Sequence, residues 1–316
     1  MLDLTNLPAL PLRAGAMPLA KLIDLYMAHY AGRDGTRLQR LAWWSSQVGS
    51  IALQDLTDDQ VHAAIEALAT QHSRYFAGTD ADGHAIFKAK KRPLAPATLN
   101  RYAASLAAVI TWAIKRRIAP KGYVHPCRSI ERRPEHNEKT RFLSDDECQR
   151  LLDACRASSW LRLYLLVLMA LTTGARKGEL AGLTWADIDL VRAEATVGRT
   201  KNGDPRVLPL VPAVVEQLQQ FKAGAPTLVF RSPRSAEKLF RFEPKYIEAL
   251  HMARIKGVSF HTLRHSAASM LARNGATLLE IADLLGHRQM QMTKRYSHLA
   301  TSHKAALVNR VLGHVR

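Results

Sequence analysis

Residues 161–183 read LRLYLLVLMALTTGARKGELAGL. Apolar side chains fill the run from Leu161 to Leu171 almost without a break, which predicts a helix buried on most sides. Gly174 predicts its end, and a second, short helix is expected from Lys177 to Leu183. Upstream, Ser144 with Glu147 three residues later reads as a capping box opening an amphipathic helix that carries Leu151 and Leu152. Downstream the period changes. From Ala195 to Val211 two short extended runs flank Asn202-Gly203, the strongest short hairpin signal. Pro205 and Pro209 imply an edge or irregular strand. After Pro212 the helical pattern resumes and is expected to continue to the end. Helices thus dominate the second half, with one small sheet.

The first half also reads as helical. Leu22, Ile23, Leu25 and Tyr26 recur at helical spacing, and so do Val61, Ile65 and Leu68 after the helix start Thr57-Asp58-Asp59. A third helix is predicted from about Ala97, carrying Leu99, Tyr102, Leu106, Val109, Ile110 and Ala113. Between Phe76 and Pro96 the pattern fails, and Gly78, Gly83, Pro93 and Pro96 suggest a polar loop. Asp80-Ala81-Asp82-Gly83 has the start of a calcium loop, but its twelfth position is Lys91, which excludes that reading. From about Pro120 to Thr140 the chain contains proline, is charged and lacks periodicity. The expected division is an N-terminal extension over 1–16, a helical domain over 17–120, a linker over 121–140 and a second domain over 141–316.

The 316 residues carry 45 Lys and Arg against 27 Asp and Glu, a net charge of +18. A surplus of that size points to a polyanionic partner, because basic side chains gain affinity by releasing counterions from phosphates. A purely solubilising charge is the competing reading. The distribution favours binding: from Lys88 to Arg141 there are 14 Lys and Arg against 3 Asp and Glu, more than half of the net charge. Cys127, Cys148 and Cys155 lack any CxxC spacing, which suits a reducing compartment and argues against a disulfide framework. The N-terminus makes a poor signal peptide. The longest apolar run is about half the roughly 20 residues that a membrane span needs. A cytoplasmic protein with no membrane association is expected.

The second half holds a spread set of cationic and proton-transferring residues: Arg176 with Glu179, Lys201, His261 with Arg264, His287 and Tyr296. Glu179 lies one helical turn from Arg176, close enough to hold its guanidinium. His261 and Arg264 are three apart and would share a helix face. His287 follows Leu284-Leu285-Gly286, whose glycine suggests a turn. Two arginines can grip the non-bridging oxygens of a phosphodiester and stabilise its pentacoordinate transition state. A tyrosine can attack once its proton is removed, and nearby cations help form the phenolate. A lysine can protonate the departing alkoxide. No carboxylate cluster is present to hold magnesium, so no cofactor is expected. His261 and His265 are four apart, but no HExxH glutamate stands between them, which argues against zinc.

Four segments together resemble the tyrosine recombinase, or phage integrase, family. They are LTTGARKGELAGLTWADID (Leu171 to Asp189), TKNGDPRVLPL (Thr200 to Leu210), HTLRHSAASML (His261 to Leu271) and LLGHRQMQMTKRYSHL (Leu284 to Leu299). The first half is similar, more loosely, to the family's core-binding domain through Ala97-Thr98-Leu99-Asn100-Arg101-Tyr102 and the basic helix after it.

The resemblance implies a mainly α fold: a helical core-binding domain, then an α+β catalytic domain of mostly helices with a small antiparallel sheet, the two forming a C-shaped clamp around duplex DNA. Arg176 and Arg264 would bind the scissile phosphate, with Glu179 bracing Arg176. Lys201 would be the general acid for the 5′-hydroxyl, with His261 assisting proton transfer. His287 would donate a hydrogen bond to the phosphate, and Tyr296 would form a 3′-phosphotyrosyl link. Lys88, Lys90, Lys91, Arg92, Arg101, Lys115, Arg116 and Arg117 are the candidate DNA-binding residues. The expected partners are double-stranded DNA, a homotetramer on paired sites formed from monomers in solution, and accessory DNA-bending proteins. The expected reaction is strand exchange for integration, excision or resolution of a mobile element, without metal or ATP. A type IB topoisomerase shares the chemistry, and a non-catalytic DNA-binding protein is the non-enzyme rival. An additional arm-binding domain is not expected, since about 16 residues precede the first helix. The tail from Lys304 to Val315 reads as an amphipathic helix, either docked on a neighbouring protomer or packed on its own domain.

Overall fold

The computed structural model describes residues 15–32, 34–79, 85–135, 141–197, 205–222, 228–287, 289–300 and 308–314. Two compact units divide the chain, one through Glu138 and the other from Lys139.

The first unit is built on helices α1 (Leu19–Ala28), α2 (Arg37–Val48), α3 (Asp58–Ala69) and, after a hairpin, α4 (Pro96–Lys115). Leu22, Ile23, Leu41, Trp44, Val61, Ile65, Leu106 and Ile110 are buried together as its core. Helix α2 is additional to the three helices read from sequence. Leu41, Trp44 and Val48 form its buried face, and the Trp44 indole N–H, which needs a partner once buried, donates to the Tyr102 carbonyl at 2.9 Å. Helix α3 begins where expected, with Thr57 and Gln60 capping each other's backbone N–H groups.

The segment expected as a polar loop is instead an antiparallel hairpin, β1 (His72–Thr79) with β2 (Ala85–Pro93). Its tip lies outside the described residues. Asp82-Gly83 is a hairpin signal flanked by the β-formers Tyr75, Phe76, Ile86 and Phe87, and those outweigh the scattered glycines and prolines. The stretch read as a linker folds back on this unit as far as Glu135. Tyr123, Cys127 and Ile130 pack against the core. The Asn100 side chain fastens its end: Nδ2 donates to the Arg133 carbonyl at 2.8 Å, and Oδ1 accepts from the Arg133 N–H at 3.0 Å.

The second unit opens with α5 (Asp145–Arg156), α6 (Arg162–Thr173) and α7 (Lys177–Ala181). The Ser144–Glu147 capping box is present. Helix α6 is enclosed on nearly every side, Leu163 and every residue from Leu165 to Val167 being without solvent contact. A three-stranded antiparallel sheet follows: β3 (Ile188–Asp189), β4 (Glu194–Val197) and β5 (Arg206–Pro209), in that order. Its register pairs Ala195 with Leu208 and Val197 with Arg206. Leu208 faces the core and Val207 faces solvent. Of the two placements its prolines allowed, β5 takes the edge of the sheet. Helix α8 (Pro212–Phe221) comes next. A second small hairpin, β6 (Arg231–Ser232) with β7 (Ser235–Leu239), interrupts the expected helical run. The chain then forms α9 (Glu243–Met252), α10 (Phe260–Arg273), α11 (Leu278–Leu285) and the single turn α12 (Gln291–Lys294). Residues 308–312 are helical. Among the described residues no helix is long and apolar enough to cross a membrane.

Candidate active site

Two glycines set the geometry of the second unit's polar centre. Helix α6 ends at Gly174, with φ 61°, and α11 ends at Gly286, with φ 64°. This left-handed conformation suits glycine, and at Gly174 a Cβ would also come within 2.4 Å of Leu285. Each helix end presents carbonyls without an intrahelical partner, at the negative end of the helix dipole.

Arginines occupy those ends. Arg264, on α10, is only 3% exposed. Its guanidinium donates to the Gly174 carbonyl at 2.8 Å and to the Leu285 carbonyl at 2.6 Å. Arg176, just before α7, donates to the Gly286 carbonyl at 3.3 Å and to Glu179 Oε1 at 2.7 Å. Arg206, the first residue of β5, donates to Glu179 Oε2 at 2.7 Å and to the Leu284 carbonyl. One carboxylate therefore serves two guanidinium groups. Burial pushes the Glu179 carboxyl up, but the Arg176 backbone and side chain, with the Arg206 charge, hold it below its usual range. Burial first, then Arg176 and Arg206, bring Arg264 down to about 10, still cationic at neutral pH.

Three imidazoles sit in the same positive field. His287 falls to about 4, through burial and then the charges of Arg264, Arg176, Arg295 and Arg206. His265 also falls to about 4, through burial, then His261, Arg295 and Arg264. His261 is lowered by burial and by Arg264, Arg176 and Arg295. In each case the shift favours the neutral ring. His287 Nδ1 lies 2.8 Å from the hydroxyl of the buried Thr293.

Tyr296 is 6% exposed, its ring among Ala268, Ala272, Ile281 and Leu285. Its hydroxyl meets His265 Nδ1 at 2.6 Å. Burial raises the phenol, while Arg295 and Arg264 pull it down without cancelling the rise. Arg176 and Arg206 thus share the Glu179 carboxylate, while Arg264 is held by carbonyls alone, leaving positive charge uncompensated beside a phenol. Such a site favours an anion.

Of the seven positions read from sequence, this unit brings together Arg176, Glu179, His261, Arg264, His287 and Tyr296. Lys201 lies outside the described residues, between β4 and β5. The candidate DNA-binding residues all belong to the first unit, and all eight are exposed: Lys88, Lys90, Lys91 and Arg92 on β2, Arg101 and Lys115 on α4, and Arg116 and Arg117 just after it. Sequence reasoning missed Arg206, His265 and Thr293. For His265 a signal existed, because it shares a helix face with His261. For Arg206 no period or motif pointed to Glu179, 27 residues away.

Glu179→Ala should leave Arg176 and Arg206 facing each other without a counter-charge. Removing one member of a buried ion pair costs about 3–5 kcal/mol. A urea-unfolding free energy equal to that of the parent chain would contradict this role.

The model of the phage integrase family matches residues 141–303, just over half of the chain. The chain belongs to the phage integrase family. Among curated integrase-family relatives, the shufflon-specific DNA recombinase of Escherichia coli is 34% identical over 176 residues, covering 55% of this chain and 44% of that protein. The integrase of Escherichia phage P2 is 27% identical over 211 residues, covering 67% of this chain and 58% of that one. The chain thus spans about half the length of these curated relatives. The fold is that of the solved Tn1549 transposon integrase in complex with circular intermediate DNA. The likeness has a TM-score of 0.69 at 18% identity, over 92% of this chain and 99% of that one.

Proposed function

We propose that this integrase-family chain is a site-specific DNA recombinase acting through a 3′-phosphotyrosyl intermediate. The observation that carries the reading is the cluster just described: a buried tyrosine hydroxyl beside arginines whose charge is only partly balanced. Arg176 and Arg264 grip the non-bridging oxygens of the scissile phosphate. Glu179 and the helix-end carbonyls keep both guanidinium groups in place beforehand, so little reorganisation accompanies the reaction. His287 donates a hydrogen bond to the phosphate. With the Thr293 hydroxyl donating to Nδ1, the ring proton sits on Nε2, free for that oxygen. Tyr296 attacks phosphorus, and Lys201 protonates the departing 5′-oxygen, with His261 assisting. The ester conserves the energy of the phosphodiester, so rejoining needs no ATP.

The substrate in this reading is duplex DNA, held in part by the exposed basic residues of the first unit. The reaction integrates, excises or resolves a mobile element in a bacterial cytoplasm, at the nucleoid, with DNA-bending proteins as accessories. Four protomers on two sites are the working assembly. Val308, Val311 and Leu312 in the tail are about half exposed, which supports docking of that tail on a neighbour.

The test is covalent capture. Nicked duplexes from a randomised library are incubated with the chain and resolved on a denaturing gel. A protein–DNA adduct is expected, and no adduct at any sequence overturns the reading. Two-site recombination by the captured sequence, rather than relaxation of any supercoiled plasmid, separates a recombinase from a topoisomerase.

Neutralising Lys90, Lys91 and Arg92 together should weaken DNA binding and flatten its salt dependence. The log–log slope should fall by about one for each phosphate that the chain no longer neutralises. Cleavage at saturating protein should survive. Unchanged affinity and slope would place the binding face elsewhere.

A further inference from the structure

We infer that His265 is the group that takes the proton from Tyr296 as the tyrosine attacks. The inference rests on the proposed phosphotyrosyl reaction and names a residue for its proton transfer. Three observations converge on His265. Its Nδ1 lies 2.6 Å from the Tyr296 hydroxyl, the distance of a made hydrogen bond. The phenol ring is locked by its apolar neighbours on α10 and α11, so the contact is fixed from both sides. His261 shows no hydrogen bond to Tyr296 among the described residues. Its ring stands edge-on to that of His265, with centroids 4.8 Å apart.

The protonation states suit an acceptor. A neutral imidazole whose Nδ1 accepts from a phenol carries its own proton on Nε2. The groups that face His265 are His261 and Arg264 from its own helix and Arg295 and Tyr296 from the segment after α11. The two arginines and burial keep the ring unprotonated, so its lone pair is available. They also make the ring too weak a base to ionise the phenol at rest, and Tyr296 waits protonated. A phosphate entering between Arg176 and Arg264 offsets that positive field and strengthens the imidazole as a base. As the oxygen–phosphorus bond forms, the phenol oxygen loses electron density and its proton becomes more acidic.

The step balances. The Tyr296 O–H bond breaks, the oxygen–phosphorus bond forms, and His265 Nδ1 gains the proton. The phosphorus–O5′ bond breaks, and that oxygen takes its proton from Lys201. In rejoining, the 5′-hydroxyl attacks phosphorus and gives its proton back to Lys201, the tyrosyl oxygen–phosphorus bond breaks, and the imidazolium returns the proton to the leaving phenolate.

His265→Asn tests this. The Asn carbonyl oxygen stands near the place of Nδ1, so it accepts the Tyr296 hydrogen bond but takes up no proton at neutral pH. Single-turnover cleavage of the duplex recovered by covalent capture is measured from pH 6 to 9, with saturating protein and unchanged DNA affinity as controls. The expected result is a loss of about 10²–10⁴-fold at pH 7. That loss should shrink as pH rises, by about tenfold per pH unit, because phenolate formed by solvent replaces the missing base. An equal loss at every pH makes His265 a positioning residue and overturns the proposal. An unchanged rate also overturns it and leaves His261 or water as acceptor. His265→Ala gives the second measurement. Added imidazole should restore cleavage in the folded, DNA-binding variant, and failure to restore it counts against the proposal. The parent chain runs alongside. If it forms no adduct, the recombinase reading fails; if it does and His265→Asn matches it, only this inference fails.

Discussion

Tyr296→Phe is expected to bind duplex DNA with the parent chain's affinity and to form no covalent complex with it. The ring keeps its place among Ala268, Ala272, Ile281 and Leu285, because that packing involves no oxygen. One hydrogen bond, to His265, is lost, at a net cost of about 1 kcal/mol. The oxygen proposed to attack is also gone. Three other tyrosines are poorly placed as substitutes. The Tyr26 hydroxyl accepts from Arg37 in the first unit at 2.6 Å, and Tyr102 packs edge-on against Trp43. Tyr246 is buried far enough to push its phenol well up. The measurement is a denaturing gel of labelled nicked duplex. An adduct that persists in Tyr296→Phe removes the assignment, and each of those three would then be substituted in turn.

Lys201→Ala should slow cleavage of ordinary DNA by about 10²–10⁴-fold, the usual worth of a general acid. A 5′-alkoxide leaves poorly unless it is protonated as it departs. A substrate with sulfur at the 5′-bridging position leaves as a thiolate, which needs far less help. On that substrate the Lys201→Ala rate should recover substantially. It should not recover in Arg264→Ala, where the loss is of charge stabilisation on the non-bridging oxygens and of the bonds to the Gly174 and Leu285 carbonyls. If Lys201 only touches DNA, both substrates slow by the same factor. Equal slowing under single-turnover conditions would therefore remove it from the acid role.

Local signals are the readable ones. The capping box at Ser144, the helix start at Thr57, the helix end at Gly174, the turn at Gly286 and the shared face of His261 and Arg264 each depend on residues within about one helical turn of each other. Family resemblance adds the candidate catalytic set, and six of its seven residues lie in the second unit. What stays hidden is long-range. The Tyr296–His265 contact spans 31 residues and the Arg206–Glu179 pair spans 27. No period relates such partners; only the packing of α10, β5 and the last turns brings them together. The hairpin β1–β2 escapes a sequence reading for another reason. The sequence Asp80 to Gly83 also fits the start of a metal loop, and the strands mix aromatic and β-branched residues with glycine and proline.

The grip on the arginines comes largely from main chain: the carbonyls of Gly174, Leu284, Leu285 and Gly286. Every amino acid carries a carbonyl, so the identity of the side chain at 284 or 285 matters to this grip only through packing. The two glycines are different, because their left-handed φ values resist replacement. Packing therefore limits replacement at a buried position such as Leu285, and backbone conformation limits it at the two glycines. A lineage could rebuild the surfaces around this cluster extensively and still inherit the same spacing of positive charge.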